Sequence, residues 1–156
     1  MRPGWDDYFL GIAKAVAARA DCTRAEHGAV IVRGHTIIAT GYNGAPGGAP
    51  GCLGGACPRG RHWLVQLAER VECGCGGRWP CPDAVPSGSS YDTGPGACIS
   101  IHAEANAIIR ADYEKMQDSQ MYVTGEPCGG CWKLIKGAGI MEVFWPDGYW
   151  INPQSK

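Results

Sequence analysis

Two short segments hold the residues best suited to chemistry: Ile101-His102-Ala103-Glu104-Ala105-Asn106-Ala107-Ile108 and Glu126-Pro127-Cys128-Gly129-Gly130-Cys131. Cys128 and Cys131 are three apart, so they share a face if Pro127 opens a helix, where proline is favoured. The positive end of that helix would help keep both sulfurs as thiolates. His102 would add a nitrogen from another helix. Three protein ligands leave a tetrahedral zinc one position for water, which is the arrangement of a catalytic site and not of a closed structural one. Glu104 fits the part of proton carrier. Residues two apart on a regular helix do not face each other, so His102 must sit at the helix start in non-helical backbone.

Taken singly, each of these residues has a plainer reading. Cys128-Gly-Gly-Cys131 alone suits a redox pair, His102 a polar core position and Glu104 a solvated helix charge. Haem attachment through Cys-x-x-Cys-His is excluded because Trp132 follows Cys131. The joint pattern is far more specific: His-x-Glu, then Pro-Cys-x-x-Cys after a strand, is a zinc-deaminase signature.

The elements that must position these residues are legible from periodicity. Trp5 to Ala20 reads as a helix, with apolar residues at spacings of three and four and Asp6 and Asp7 in the first turn. Gly28–Arg33 and Thr36–Thr40 read as a hairpin turning at Gly34-His35. His102 to Tyr113 looks helical, Gln120 to Thr124 a strand, Cys128 to Lys136 a helix and Ile140 to Trp145 a strand. The tail after Tyr149 reads as irregular. This order implies an α/β fold, a three-layer α/β/α sandwich around a mixed sheet.

Between Gly44 and Ala97 the texture changes to thirteen glycines, seven prolines and five cysteines. One short helical pattern interrupts it, formed by Trp63, Leu64, Leu67 and Val71. The stretch has too few apolar residues for a core of its own, so it reads as an insertion at about 44–97 in a single domain spanning 1–156. The 156 residues carry 14 basic and 15 acidic side chains, a net charge of −1, which argues against a protein that coats polyanions. No run of eighteen apolar residues suggests a membrane span. Acidic residues near the start, where a secretory peptide would be apolar, and an odd count of nine cysteines point to an intracellular protein using thiolates for metal or chemistry.

The chain resembles the cytidine deaminase superfamily and, within it, the deoxycytidylate (dCMP) deaminase family. The resemblance runs through Cys22-Thr23-Arg24, His27-Gly28-Ala29-Val30-Ile31, Thr40-Gly41-Tyr42-Asn43-Gly44-Ala45-Pro46, the His102–Ile108 segment, Met121–Thr124, and Glu126 through Lys136 to Gly139-Ile140. The Gly-Tyr-Asn-Gly-x-Pro loop is its most subfamily-specific part. It implies that His102, Cys128 and Cys131 hold a catalytic zinc and that Glu104 is the general acid and base. Asn43 would contact the sugar or base, and Tyr149 would line the substrate pocket. The implied reaction is hydrolysis of a cytosine deoxynucleotide, dCMP, to dUMP and ammonia, with water activated at zinc attacking C4. Other amino-bases, such as guanine or a tRNA adenosine, are the rival substrates; a zinc-stapled binding module with a vestigial site is the rival class. The resemblance further implies a cytoplasmic homo-oligomer, a small nucleotide as partner and neither membrane nor nucleic acid. Regulation by deoxynucleoside triphosphates is matched only through the Gly-Tyr-Asn-Gly loop.

Seven cysteines remain. Cys22 and Cys52 align with ligands of a second, structural zinc in some phage members of the family, and Cys98 lies near the same place. Cys57, Cys73, Cys75 and Cys81, all within the insertion, would make a closed four-thiolate site. His62 or His27 could replace a thiolate. One or two structural zinc ions are therefore expected beside the catalytic one.

Overall fold

The structure is a computed structural model and describes residues 1–86 and 88–154. Its elements in chain order are α1 (Trp5–Ala17), β1 (Gly28–Arg33), β2 (Thr36–Tyr42), α2 (Pro58–Arg61), β3 (Leu64–Gln66), β4 (Val71–Cys73), α3 (Ala103–Arg110), α4 (Tyr113–Met116), β5 (Ser119–Val123), α5 (Gly129–Gly137), β6 (Ile140–Trp145) and β7 (Gly148–Ile151). They fall into two compact units. The first comprises residues 1–20, 25–43 and 101 onward; the second comprises 21–24 and 44–100.

In the first unit the sheet order is β2-β1-β5-β6-β7 among the described residues. β5 and β6 are parallel and the other neighbours antiparallel, so the sheet is mixed as expected. Gly34 and His35 both have positive φ, 54° and 64°, the two-residue turn whose twist suits a hairpin. The His35 ring stacks on Trp5 at 4.0 Å, which fastens the turn to α1.

Alternation along β1 builds both cores. Val30 and Val32 face Phe9 and Ala13 of α1 together with Tyr122. Ala29 and Ile31 face the opposite way, toward Ala103 and Ala107 of α3 and Cys131 and Ile135 of α5. A strand covered on both faces is the middle layer of a three-layer sandwich. Tyr122 donates its hydroxyl hydrogen to Asp6 at 2.9 Å, tying the first turn of α1 to the middle of the sheet.

Several boundaries differ from the sequence expectation. α1 stops at Ala17, not Ala20. The helix expected to run to Tyr113 ends at Arg110, because Asp112 caps a new helix by accepting the Lys115 N–H at 3.1 Å. Trp150 and Ile151, expected to be irregular, belong to a strand: β7 pairs with β6 at Phe144↔Tyr149 and Glu142↔Ile151, and Trp150 packs on the α3/α5 core.

The second unit carries a small hairpin in place of the expected helix. Leu64 pairs with Cys73 and Gln66 with Val71, and the Leu67 N–H donates to the Arg70 carbonyl at 2.9 Å to close the turn. Leu64 and Val71 are 40% and 38% exposed, so no apolar stripe is buried that would stabilise a short helix. The buried apolar side chains of this unit, among the described residues, are Cys52, Cys57 and Cys73. Among the described residues no helix is long and apolar enough to cross a membrane.

Candidate functional site

His102 is the N-cap of α3, with φ −65° and ψ 153°. Its extended backbone turns the imidazole out of the helical array, which lets His102 and Glu104 share a site despite their spacing of two. Its carbonyl still accepts the first helical bond, from the Asn106 N–H at 2.9 Å. Two features place α3 on the sheet. Gly41 of β2 has no side chain where the helix backbone at Ala103 and Ala107 passes. The buried Asn106 amide donates to the Tyr42 carbonyl at 2.8 Å. Sequence reasoning does not single out Asn106; its signal is a polar residue on the apolar face of a helix.

Cys128 is likewise an N-cap, that of α5, with φ −72° and ψ 168°. Pro127 therefore precedes the cap instead of opening the helix, and Gly129 and Gly130 form the first helical positions. Cys131 follows on the first turn and is 3% exposed. His102 Nδ1 lies 3.5 Å from Cys128 Sγ and 3.4 Å from Cys131 Sγ. The three ligand atoms all fall within 4.8 Å of one another. Tetrahedral zinc, with Zn–S near 2.3 Å and Zn–N near 2.0–2.1 Å, sets the ligand N···S separation at about 3.6 Å. The trio fits zinc by that measure and by its donor set.

Glu104 is 8% exposed and lies against Cys131. Burial pushes the Cys131 thiol up, and the Glu104 carboxylate and Cys128 add to the rise. An anionic sulfur beside a buried carboxylate calls for a cation, and a metal ion supplies one. Three protein ligands would leave a tetrahedral zinc one position for water, beside which Glu104 could take up a proton. The arrangement can activate water and move protons at one point.

Asn43 and Tyr149, which the resemblance gives to the substrate, are placed as follows. The Asn43 side chain is 6% exposed and engaged locally: Oδ1 accepts the His27 N–H at 2.7 Å and Nδ2 donates to the Ala25 carbonyl at 3.0 Å. It clamps the entry of β1 to the exit of β2. Tyr149 is 67% exposed and stacks on Phe144, whose ring packs with Tyr122 and the α1 core. It lies on the sheet face opposite α3 and α5 and is not brought to the His102 group. Alternation explains this, since the neighbouring Trp150 faces the α3/α5 core, 5.3 Å from Trp132.

The remaining cysteines, all free thiols, sort differently from the expected grouping. His62, not Cys57, joins Cys73, Cys75 and Cys81, with ligand atoms within 4.8 Å of one another. Cys57 instead neighbours Cys52 and Cys98, and Cys22 lies close enough to act on Cys52 and Cys98. Burial acts to raise the Cys57 thiol, but backbone N–H groups of Ile99, Gly60 and Arg59 aimed at its sulfur outweigh that and leave it lowered. Arg59, which no sequence signal marks, is 9% exposed and organises the same unit. Its guanidinium donates to the carbonyls of Gly96 at 2.8 Å, Ser90 at 2.7 Å and Ser89, and lies 3.9 Å from the Tyr91 ring centroid.

Comparison with known proteins agrees with this geometry. A deoxycytidylate deaminase of Mycobacterium phage D29 is 43% identical over 145 residues, 93% of this chain and 96% of that protein. The deoxycytidylate deaminase of Schizosaccharomyces pombe is 36% identical over 96% of this chain, which spans only 39% of that longer protein. The dCMP deaminase of cyanophage S-TIM5, solved in complex with dCMP and dUMP, superposes with a TM-score of 0.58 at 25% identity, covering 93% of this chain and 82% of that one. Residues 3–146, which include the gathered His102, Cys128 and Cys131, match the cytidine and deoxycytidylate deaminase zinc-binding region, and the chain belongs to this zinc-dependent deaminase family.

Proposed function

We infer that the protein hydrolyses dCMP to dUMP and ammonia. The observation that carries this is the buried Glu104 carboxylate set against the His102–Cys128–Cys131 trio. A purely structural metal site has no use for an acid there. His102, Cys128 and Cys131 would hold zinc, which when bound lowers the pKa of water to about 7.

The chain's own residues do the rest. Glu104 accepts a proton from the attacking water and passes it to N3 of the cytosine as the new C–O bond forms at C4. It then takes the proton of the new C4 hydroxyl and delivers it to the amino group, and the C4–N bond breaks as the C4–O double bond forms, giving dUMP and ammonia. The N-cap backbone of His102 and the packing of α3 on Gly41 hold the carboxylate at the reacting atoms.

The substrate, a monophosphate, fits a chain whose 14 basic and 15 acidic side chains nearly cancel. A tRNA substrate would call for clustered cations, whereas one phosphate needs only one or two positive groups or backbone amides. Three finer points belong to the same proposal. Cys22, Cys52 and Cys98, joined by Cys57, would hold a structural zinc. The enzyme would be a cytoplasmic homo-oligomer, with Ile109 and Leu134 exposed on α3 and α5 as apolar surface for assembly. Deoxynucleoside triphosphates would regulate it.

Ammonia release across a panel of nucleosides and nucleotides tests the assignment. Turnover of dCMP should exceed that of deoxycytidine, because binding energy on the remote phosphate lowers the barrier at C4. Equal rates on the two, or activity only on guanine or RNA, would overturn it.

A further inference from the structure

We propose that His62, Cys73, Cys75 and Cys81 form a closed structural zinc site, made of other residues than the catalytic centre, and that this site takes the place of a hydrophobic core in its part of the chain. The inference goes beyond the deaminase assignment and does not depend on it.

The first support is geometric. His62 Nδ1 stands 3.5 Å from Cys81 Sγ and 3.9 Å from Cys73 Sγ. Those separations bracket the value of about 3.6 Å that tetrahedral zinc imposes on an imidazole nitrogen and a thiolate. The His102 trio, at 3.4 and 3.5 Å, gives the same spacing within this protein. Cys75 supplies the fourth ligand atom, within 4.8 Å of the others. Four protein ligands leave no open position, so the site is structural in type.

The second support is how the chain brings the four together. β3 and β4 pair Leu64 with Cys73, which brings His62, just before β3, to the end of β4 that carries Cys73. Beyond Cys73 the chain reverses at once: the Gly76 N–H donates to the Cys73 carbonyl at 2.8 Å and the Cys73 N–H to the Gly77 carbonyl at 2.9 Å. Gly76 has a φ of 83°, which glycine adopts without strain. Gly74, between the two cysteines, donates its N–H to the Trp63 carbonyl at 2.8 Å and has the indole against its α-carbon, where an ideal Cβ would lie 2.5 Å from Trp63 Cδ1. The one-residue spacer is thus built for close approach of the two strands' ends. Three of the four ligands come from this turn and hairpin, and Cys81 closes the set.

The third support is what the unit lacks. Its buried apolar side chains, among the described residues, are three cysteines and no aliphatic or aromatic group. A segment of about sixty residues with so little apolar burial needs a staple, and metal ligation is one of the few available. All nine cysteines are free, so disulfides do not provide it.

Thiol alkylation of the zinc-replete full-length protein, mapped peptide by peptide, tests the site. Cys75 is exposed, so as a free thiol it would react readily. Ligated, Cys73, Cys75 and Cys81 should all react about tenfold more slowly than after chelation. Elemental analysis adds a second readout. His62→Ala should carry one zinc equivalent per chain fewer than wild type, and His62→Cys should restore it, since four thiolates also close a zinc site. Free reaction of Cys75 in zinc-replete protein, or full zinc retention in His62→Ala, would overturn the proposal. If His62→Ala fails to fold, the protection pattern in the wild-type chain still decides. Cys128 and Cys131 lie in a peptide apart from Cys73, Cys75 and Cys81, so failure of the catalytic zinc would be seen separately.

Discussion

Replacing Gly41 by alanine should disable the site without touching any of its side chains. An ideal Cβ at Gly41 would lie 2.9 Å from Ala107 Cα and closer still to the Ala103 carbonyl oxygen and the Ala107 nitrogen. All three are helix backbone, which cannot rotate aside. Favourable carbon contacts begin at 3.5–4.0 Å, so α3 would have to move off the sheet by about 1 Å. Overpacking of this kind costs about 1–3 kcal/mol of stability. The displacement matters more for chemistry, because α3 carries both His102 and Glu104 at its N-terminal end. A misplacement of about 1 Å at reacting groups lowers rates on the order of 100-fold. The assay is ammonia release from dCMP at saturation, with zinc content and thermal unfolding measured on the same preparation. Gly28→Ala is the matched control: its Cβ would lie 3.1 Å from Ala17 Cα and clash with α1, which carries none of the site residues. It should lose similar stability with a much smaller loss of kcat. A folded Gly41→Ala protein with wild-type kcat and zinc would refute the reasoning. So would Gly28→Ala losing as much activity, since the effect would then be general loosening of the fold.

Other outcomes follow from the same structure. Glu104→Gln should keep zinc and fold but lower kcat at least about 100-fold, because the carboxylate moves protons and is not a ligand; metal analysis beside the activity assay checks both halves. His102→Ala or Cys128→Ala should lose catalytic zinc together with activity, read by elemental analysis. Asn106→Ala leaves the Tyr42 carbonyl without the bond from Asn106 and should destabilise the fold by about 1–3 kcal/mol in urea unfolding, with part of the activity lost through α3. Tyr122→Phe removes the bond to Asp6, whose exposed carboxylate can rehydrate, so the cost should be about 1 kcal/mol with unchanged kcat.

Chemistry carried by short, local motifs is legible in the amino-acid sequence. His102, Glu104, Cys128 and Cys131 stand together because two helix N-termini present them, and both begin within the motifs themselves. The demand that His102 leave the helix follows from spacing alone and is met by its N-cap backbone. The Gly34-His35 turn is likewise readable, since hairpin twist is a local rule. The metal grouping of the insertion is not local. The sequence favours Cys57 as the fourth ligand, with His62 or His27 as a replacement, and only the pairing of β3 with β4 decides that His62 meets Cys73, Cys75 and Cys81. The same holds for Trp63, Leu64, Leu67 and Val71, whose helical spacing rests on four residues and yields to a hairpin three residues wide on each side. Tyr149 turns on strand register: a strand of four residues is too short for its alternation to show in sequence, and its pairing with Phe144 sends the ring to the α1 face. The sequence by itself determined which residues could bind metal and move protons. Tertiary structure decided which of them meet, because ligand distances depend on strand pairing and helix packing between segments far apart in the chain.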